Sequence, residues 1–408
     1  MLNSSLFIIK LPHALLDGIR ICLISIIEDG SYSDKAVQNM LKTHPKWGSR
    51  DRKTATEIVY GTTRNLIQYR QRAQSIHSIF SDITTLDGVL LIAIYENKRL
   101  NNLVDFSTEL AHCIENSKID LSQYVNHSYS KWLYQQILSD WKSQALHLIQ
   151  SLDIPAEVFI RCNTLQTTFS KLTQKLQQLT IAFEPIQEVK NALRIKSRNQ
   201  LRQTTLFQSG YFEFQDISSQ YVIERVGIYA GQTIIDYCAG KGGKTLQIAS
   251  LMNQKGQLIA SDIDSSRLDI LKKRATRAGL KNLQIIEQKE LLAKYNKQAD
   301  MVIIDAPCSG TGTIRRQPDI KFRFSEKDLS HILSTQKNIL QQAALLVKPN
   351  GKLLYITCSI LKKENDEQIQ FFLQNNPSFI LEKDAYILPS QLNGDGFYFA
   401  LLTQNLTE

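Results

Sequence analysis

From residue 207 onward, short and almost wholly apolar runs alternate with longer amphipathic ones, and few folds accept that pattern. The apolar runs are YFEFQD, QTIIDY, GQLIASDID, NLQIIE, ADMVIIDAP, GKLLYITCS and FYFALLT. Between them lie TLQIASLM, SSRLDILKKRATRAG, KDLSHILSTQKNILQQAALLV and KENDEQIQFFLQNN, whose apolar residues recur at helical spacing. Strands that are apolar on both sides need helices on both faces. The pattern therefore predicts an open, doubly wound α/β domain over residues 206–408. In such a sheet, ligands sit beyond the carboxyl ends of the strands.

The texture upstream is different. Residues 1–125 carry helical periodicity with almost no strand signal, as in LLDGIRICLISIIE and LDGVLLIAIYENKRLNNLVDF, and predict an all-helical domain. Residues 126–205 predict a small connecting α/β unit: a helix SKWLYQQILSDWKSQALHLIQSL, then strands EVFIRCN, TIAFEPI and ALRIK around a helix KLTQKLQQL. The apolar start of the chain is broken by Pro12, Asp17 and Arg20 and lacks a basic n-region, so it reads as the lead into a helix, not a signal peptide. No stretch reaches the roughly 18 apolar residues a bilayer demands, and a cytoplasmic protein is expected.

Net charge is +9 across 408 residues, which favours an anionic partner such as nucleic acid. The basic residues gather at Lys46, Arg50, Arg52, Lys53, Arg64, Arg70 and Arg72, and again at Lys190, Arg194, Lys196, Arg198 and Arg202. A solvated helix face explains a charge run equally well; an RNA-facing surface is the sharper expectation.

The stretch IIDYCAGKGGKTL (234–246) joins a strand to a glycine-rich loop and a helix. A phosphate-cradling P-loop requires a glycine five residues before Gly243, where this chain has Cys238. The alternative is a nucleoside-cofactor loop. Gly240, Gly242 and Gly243 admit close backbone approach, and the next strand ends in Asp262, about 20 residues on, where an acid can hold a ribose hydroxyl.

Of the six cysteines, Cys22, Cys113 and Cys162 sit in apolar runs, and no C-x-x-C or zinc spacing occurs, so no metal is expected. Cys308 follows Asp305-Ala306-Pro307 and Cys358 follows Thr357, each just past a strand's carboxyl end. Two thiols beside a cofactor pocket suit one demanding reaction. Carbon 5 of cytosine is too weak a nucleophile to take a methyl group until a thiolate adds to carbon 6; a base must then remove the carbon 5 proton so that the thiol leaves. Asp305, Cys308 and Cys358 supply the required residue types.

The motifs D-x-C-A-x-x-G-G-K-T, D-A-P-C-S-G-T-G, R-R-x-P-D-I-K and Y-x-T-C-S-I, with the leading segment GYFEFQDISSQ, resemble the RNA cytosine-5 methyltransferases of the Sun/Fmu (RsmB) type. The helical region around SRDRKTATEIVYGTTRNLIQYR is similar to a NusB-like RNA-binding domain. The resemblance implies a class I S-adenosylmethionine-dependent methyltransferase fold acting on small-subunit (16S) rRNA, as a monomer. It implies Cys358 as nucleophile, Cys308 as the residue assisting release, and Asp305 as the partner of the base, near the methyl donor. Cys238, Ala239, Gly240, Lys241, Gly242, Gly243 and Lys244 would wrap the donor and Asp262 its ribose. Arg315, Arg316 and Lys321 resemble a substrate-facing loop, joined in RNA binding by Arg50, Arg52 and Arg64. Two positions depart from the family's pattern: Lys241 stands where proline is common, and Lys289, flanked by Glu287 and Glu290, stands near the usual adenine-holding acid. A catalytically decayed rRNA-assembly factor and a P-loop NTPase are the competing expectations.

Overall fold

The computed structural model describes residues 6–97, 99–117, 122–196 and 201–405, so Arg198 of the second basic stretch lies outside the described residues. The chain divides into two compact units.

The first unit is helical and runs through Asp153. Its central helix is Thr85–Glu96, capped by the Thr84 hydroxyl, which accepts from the Asp87 amide at 3.2 Å. Val89 through Ile94 of this helix are all buried, as a helix apolar on every side must be. Helices His13–Ile27, Ser33–Thr43, Ser49–Arg64 and Leu66–Ile79 pack around it. Against the expectation of a purely helical region, β1 (Phe7–Ile9) pairs antiparallel with β2 (Val104–Phe106). The helices Lys131–Trp141 and Ala145–Asp153 are grouped with this compact unit. So is the distant segment Ile314–Glu326.

The second unit holds two sheets. Strands β3 (Val158–Cys162), β4 (Phe183–Pro185), β5 (Ala192–Ile195) and β6 (Phe212–Phe214) form an antiparallel sheet in the order β4-β5-β3-β6. The run YFEFQD, expected to open the large sheet, instead supplies β6, because its residues pair with Ile160–Cys162. The expected boundary near residue 206 therefore falls inside one compact unit.

The large sheet comprises β7 (Thr233–Asp236), β8 (Gln257–Ala260), β9 (Leu283–Ile285), β10 (Ala299–Asp305), β11 (Val347–Thr357), β12 (Phe379–Ile387) and β13 (Phe397–Gln404), in the order β12-β13-β11-β10-β7-β8-β9. Five strands run parallel; β13 pairs antiparallel with β11 and β12. Ile235, Ile259, Val302, Leu353 and Tyr355 fill the core on one face, and Ile234, Leu258, Met301, Leu354 and Ile356 fill it on the other. Burial on both sides is why these strands read as continuous apolar runs. After β9 the chain crosses back past β7, so the strand order reverses between β7 and β10, where open α/β sheets form their ligand crevice. No helix among the described residues is long and apolar enough to cross a membrane.

Candidate active site

Asp236 and Asp305 end the two strands that flank this reversal, with Lys244 paired to Asp305 and Thr245 bonded to Asp236. Asp236 is buried and accepts from the Thr245 hydroxyl at 2.6 Å, while its other oxygen, Oδ1, has no hydrogen-bond partner. Burial pushes its pKa up to about 7, the Thr245 bond opposes this, and the nearby Asp305 and Asp262 carboxylates add to the rise.

The glycine loop is shaped for close approach. Gly242 has φ +83°, and a Cβ there would lie 2.1 Å from Leu271 Cδ1, so a side chain would be strained in this left-handed backbone and would force Leu271 to move. Asp262 closes the loop: its Oδ2 accepts from the Gly240 amide at 2.8 Å and its Oδ1 from the Asp264 amide at 2.9 Å. Lys241, without a stiffening proline, is held from outside, because Arg274 Nη1 donates to its carbonyl oxygen at 2.7 Å. Lys244 is buried, pairs with Asp305 at 2.7 Å and lies 5.2 Å from the centre of the Phe397 ring. Asp305 keeps 37 % of its side chain exposed, so one face of this ion pair is open.

Asp236, Asp262 and Asp305 thus stand at the loop, with Lys244 paired to Asp305 and Lys241 exposed.

The two predicted cysteines come together. Cys308 Sγ and Cys358 Sγ lie 3.3 Å apart at the ends of the neighbouring strands β10 and β11, each half-buried. The thiol–thiol contact, burial and the Cys358 and Glu364 charges push Cys308 well above the usual thiol range. Gly312 donates to the Cys358 carbonyl at 2.9 Å, and a Cβ on Gly312 would fall 2.0 Å from Gly396 O, so only glycine fits between these loops. Cys238, half-buried near Asp236, Asp262 and Asp305, has its thiol pKa raised by desolvation and by those carboxylates, which suits a loop wall more than a nucleophile.

At the adenine position Lys289 turns back onto Glu287 at 2.7 Å, and Glu290 pairs with Lys294. Ile263, next to Asp262, is 90 % exposed.

The predicted substrate-facing residues belong to the segment Ile314–Glu326. Lys321 is buried within the helical unit, where it pairs with Asp153 and donates to the backbone oxygens of Arg64 and His127 at 3.1 and 2.9 Å. Burial pulls its pKa down to about 8. Arg315 is buried too, and Arg316 is half-buried with partners of its own. Ile314 and Ile320 are buried and Phe322 packs against the helical core, so Arg315 and Lys321 are not cations of a solvated surface. Arg64 donates to the Arg315 carbonyl at 3.2 Å. Arg52 caps a helix end through the carbonyls of Leu41, His44, Pro45 and Trp47. Arg72 is an internal clamp on Glu96, Ser117 and Ile114. Arg50 is exposed, as are Lys46, Lys53 and Arg70.

Sequence reasoning missed the buried polar cluster behind the cysteines, of Glu364, Gln336, Ser309, Ser359 and Thr311. The available signal was the Glu364-Asn365 pair that follows T-C-S-I-L-K-K, polar residues where a strand has just ended.

A family profile described as 16S rRNA methyltransferase RsmB/F matches residues 227–403, and one described as the RsmF/B-like ferredoxin-like domain matches residues 129–202. Over 327 residues the chain is 30 % identical to the ribosomal RNA small subunit methyltransferase B of Yersinia pseudotuberculosis, covering 78 % of this chain and 75 % of that protein. It is 26 % identical over 432 residues to the probable ribosomal RNA small subunit methyltransferase B of Bacillus subtilis, covering 92 % and 95 %. In fold it is similar to NSun6 from Pyrococcus horikoshii, solved with SFG, at a TM-score of 0.62 and 19 % identity over 68 % of this chain and 99 % of that one.

Proposed function

From the premise that this chain belongs to the RsmB/F family of 16S rRNA methyltransferases, we propose that it methylates carbon 5 of a cytosine in small-subunit rRNA through a covalent adduct on Cys358. S-adenosyl-L-methionine is the methyl donor, supplying an electrophilic methyl group on a sulfonium cation. The crevice fits it: glycines for close approach, strand-end carboxyl groups at Asp236, Asp262 and Asp305, and an unpartnered carboxylate oxygen on Asp236. Asp262, at the end of the next strand, takes the ribose hydroxyls in this reading, and exposed Ile263 offers the adenine ring an apolar face.

The pair of sulfurs at 3.3 Å carries the reading. The Cys358 thiolate adds to carbon 6, and the electron pair displaced within the ring makes carbon 5 nucleophilic. Asp305, exposed on one side and neutralised by Lys244 on the other, hydrogen-bonds the base. After carbon 5 takes the methyl group, a base removes the proton from that carbon, with Cys308 assisting release. The carbon 6–sulfur bond then breaks and Cys358 leaves as thiolate. Two thiols in contact share protons easily, which suits one to attack and the other to release. Exposed Arg50, with Lys46 and Lys53, provides phosphate contacts from the helical unit.

The test is Cys308→Ala with rRNA and radiolabelled donor. A protein–RNA adduct stable on a denaturing gel is expected, and it should vanish in Cys308→Ala/Cys358→Ala. A wild type that binds rRNA but transfers no methyl group and forms no adduct would instead identify an assembly factor without chemistry.

A further inference from the structure

Behind the two thiols, and touching neither, lies a carboxylate that the chemistry above leaves unexplained. Glu364 is fully buried in the turn after β11. Its Oε2 accepts from the Ser309 amide at 2.8 Å and from Gln336 Nε2 at 3.1 Å; its Oε1 accepts from the Ser359 hydroxyl. One oxygen therefore holds the residue after Cys308 and the other holds the residue after Cys358.

Further bonds close the frame. Ser309 Oγ meets Ser359 Oγ at 3.1 Å and Thr311 Oγ1 at 3.0 Å, and Thr311 Oγ1 accepts from the Ile360 amide at 3.1 Å. Gln336 also donates to the Pro307 carbonyl at 3.0 Å, on the other side of Cys308, and is itself bound by Gln368 at 3.2 Å. Tyr355 OH donates to the Glu364 carbonyl at 2.8 Å, fixing the turn to β11.

Burying a carboxylate among neutral donors is expensive, and an apolar side chain of similar volume would serve stability as well or better. What an apolar residue lacks is two acceptor oxygens in one rigid plane, able to fix two loops at a set distance. Burial raises the Glu364 pKa and the three donors oppose that rise. We infer that Glu364 is a positioning residue, holding the loop of Cys308 and the loop of Cys358 in register so that the two sulfurs stay in contact. The catalytic role of that contact rests on the reading proposed above; the positioning does not.

The two are separable by experiment. Full-length wild type, Glu364→Ala and Glu364→Gln are treated with the thiol oxidant diamide, which takes two electrons and two protons from a thiol pair and becomes the hydrazine. The Cys308–Cys358 disulfide is followed by peptide mass spectrometry. Its formation requires the sulfurs to close to about 2.05 Å, so its rate reports their placement. Methylation of rRNA is measured in parallel. In Glu364→Ala the disulfide should form at least about tenfold more slowly and kcat should fall about 100-fold, the effect of an ångström-scale misplacement. KM for rRNA and donor affinity should stay within about twofold of wild type, because the loop at 238–244 is untouched. Glu364→Gln should restore much of both rates: its carbonyl serves Ser309 and Gln336 while its NH2 donates to Ser359.

If Glu364→Ala is recovered unfolded, Ser359→Ala, which removes the Cys358 arm together with the hydroxyl contacts to Ser309 and Thr311, and Gln336→Leu carry the same comparison. An unchanged disulfide rate in folded variants overturns the inference. So does a loss of donor affinity equal to the loss of rate, which would make Glu364 a support for the whole domain. If the wild type methylates no RNA, the cysteine mechanism falls, and the disulfide rates still decide the role of Glu364.

Discussion

At the scale of single residues, the crevice sets charges against one another where water is excluded. Asp236 is the extreme case, a strand-end acid whose pKa burial lifts to about 7, with one oxygen on Thr245 and the other unpartnered. A folded-state pKa above the unfolded value means the native state binds more protons between about pH 4 and 7. Stability from this group is therefore complete below the unfolded pKa and lost as pH rises through about 7. Asp236→Asn should flatten that loss: thermal melts from pH 4 to 8 should show the variant gaining on wild type by a few kcal/mol towards neutral pH. A constant difference at every pH would contradict the assignment. The same residue scale explains Lys241. The loop that lacks a proline is held by Arg274 from a neighbouring helix, which no local sequence rule announces.

At the scale of elements, the strands were readable wherever both faces are buried, and obscure where they are not. The edge strand β12, FILEKDAYI, is exposed over much of its length and carries no apolar run, so the sequence pattern passed over it. β6 was visible as a strand but assigned to the wrong sheet, since its partner lies 50 residues upstream and pairing leaves no trace in composition. The Q-D-I-S-S-Q segment that follows it is a buried junction. Gln215 accepts from Arg161 and donates to Gln247, and Gln247 donates to the Gln220 carbonyl. The segment Ile314–Glu326 is a basic run in which the fold buries Arg315 and Lys321. Lys321 stabilises the helical unit through Asp153, so Lys321→Met should leave that acid without its cation and lower stability by about 3 kcal/mol in denaturant titration. It should leave the salt dependence of RNA binding unchanged, because no phosphate contact is removed.

At the scale of the whole molecule, the chain carries a net charge of +9. RNA affinity should fall steeply with salt, and Arg50→Ala should reduce the slope of log K against log salt by about 1, read by filter binding from 50 to 300 mM salt. An unchanged slope would remove Arg50 from the RNA surface. The sequence alone determined the α/β class, the glycine loop, the strand-end acids and the two cysteines. These are local in character: an apolar run that must be covered, a backbone that must admit a ligand, a residue type that the chemistry requires. Tertiary structure decided that Cys308 and Cys358 touch, that Asp305 faces Lys244, that Glu364 spans both thiol loops, and that Lys321 turns inward. Each of those outcomes depends on which distant segments share a boundary and on whether water reaches it. A single chain read in order contains neither.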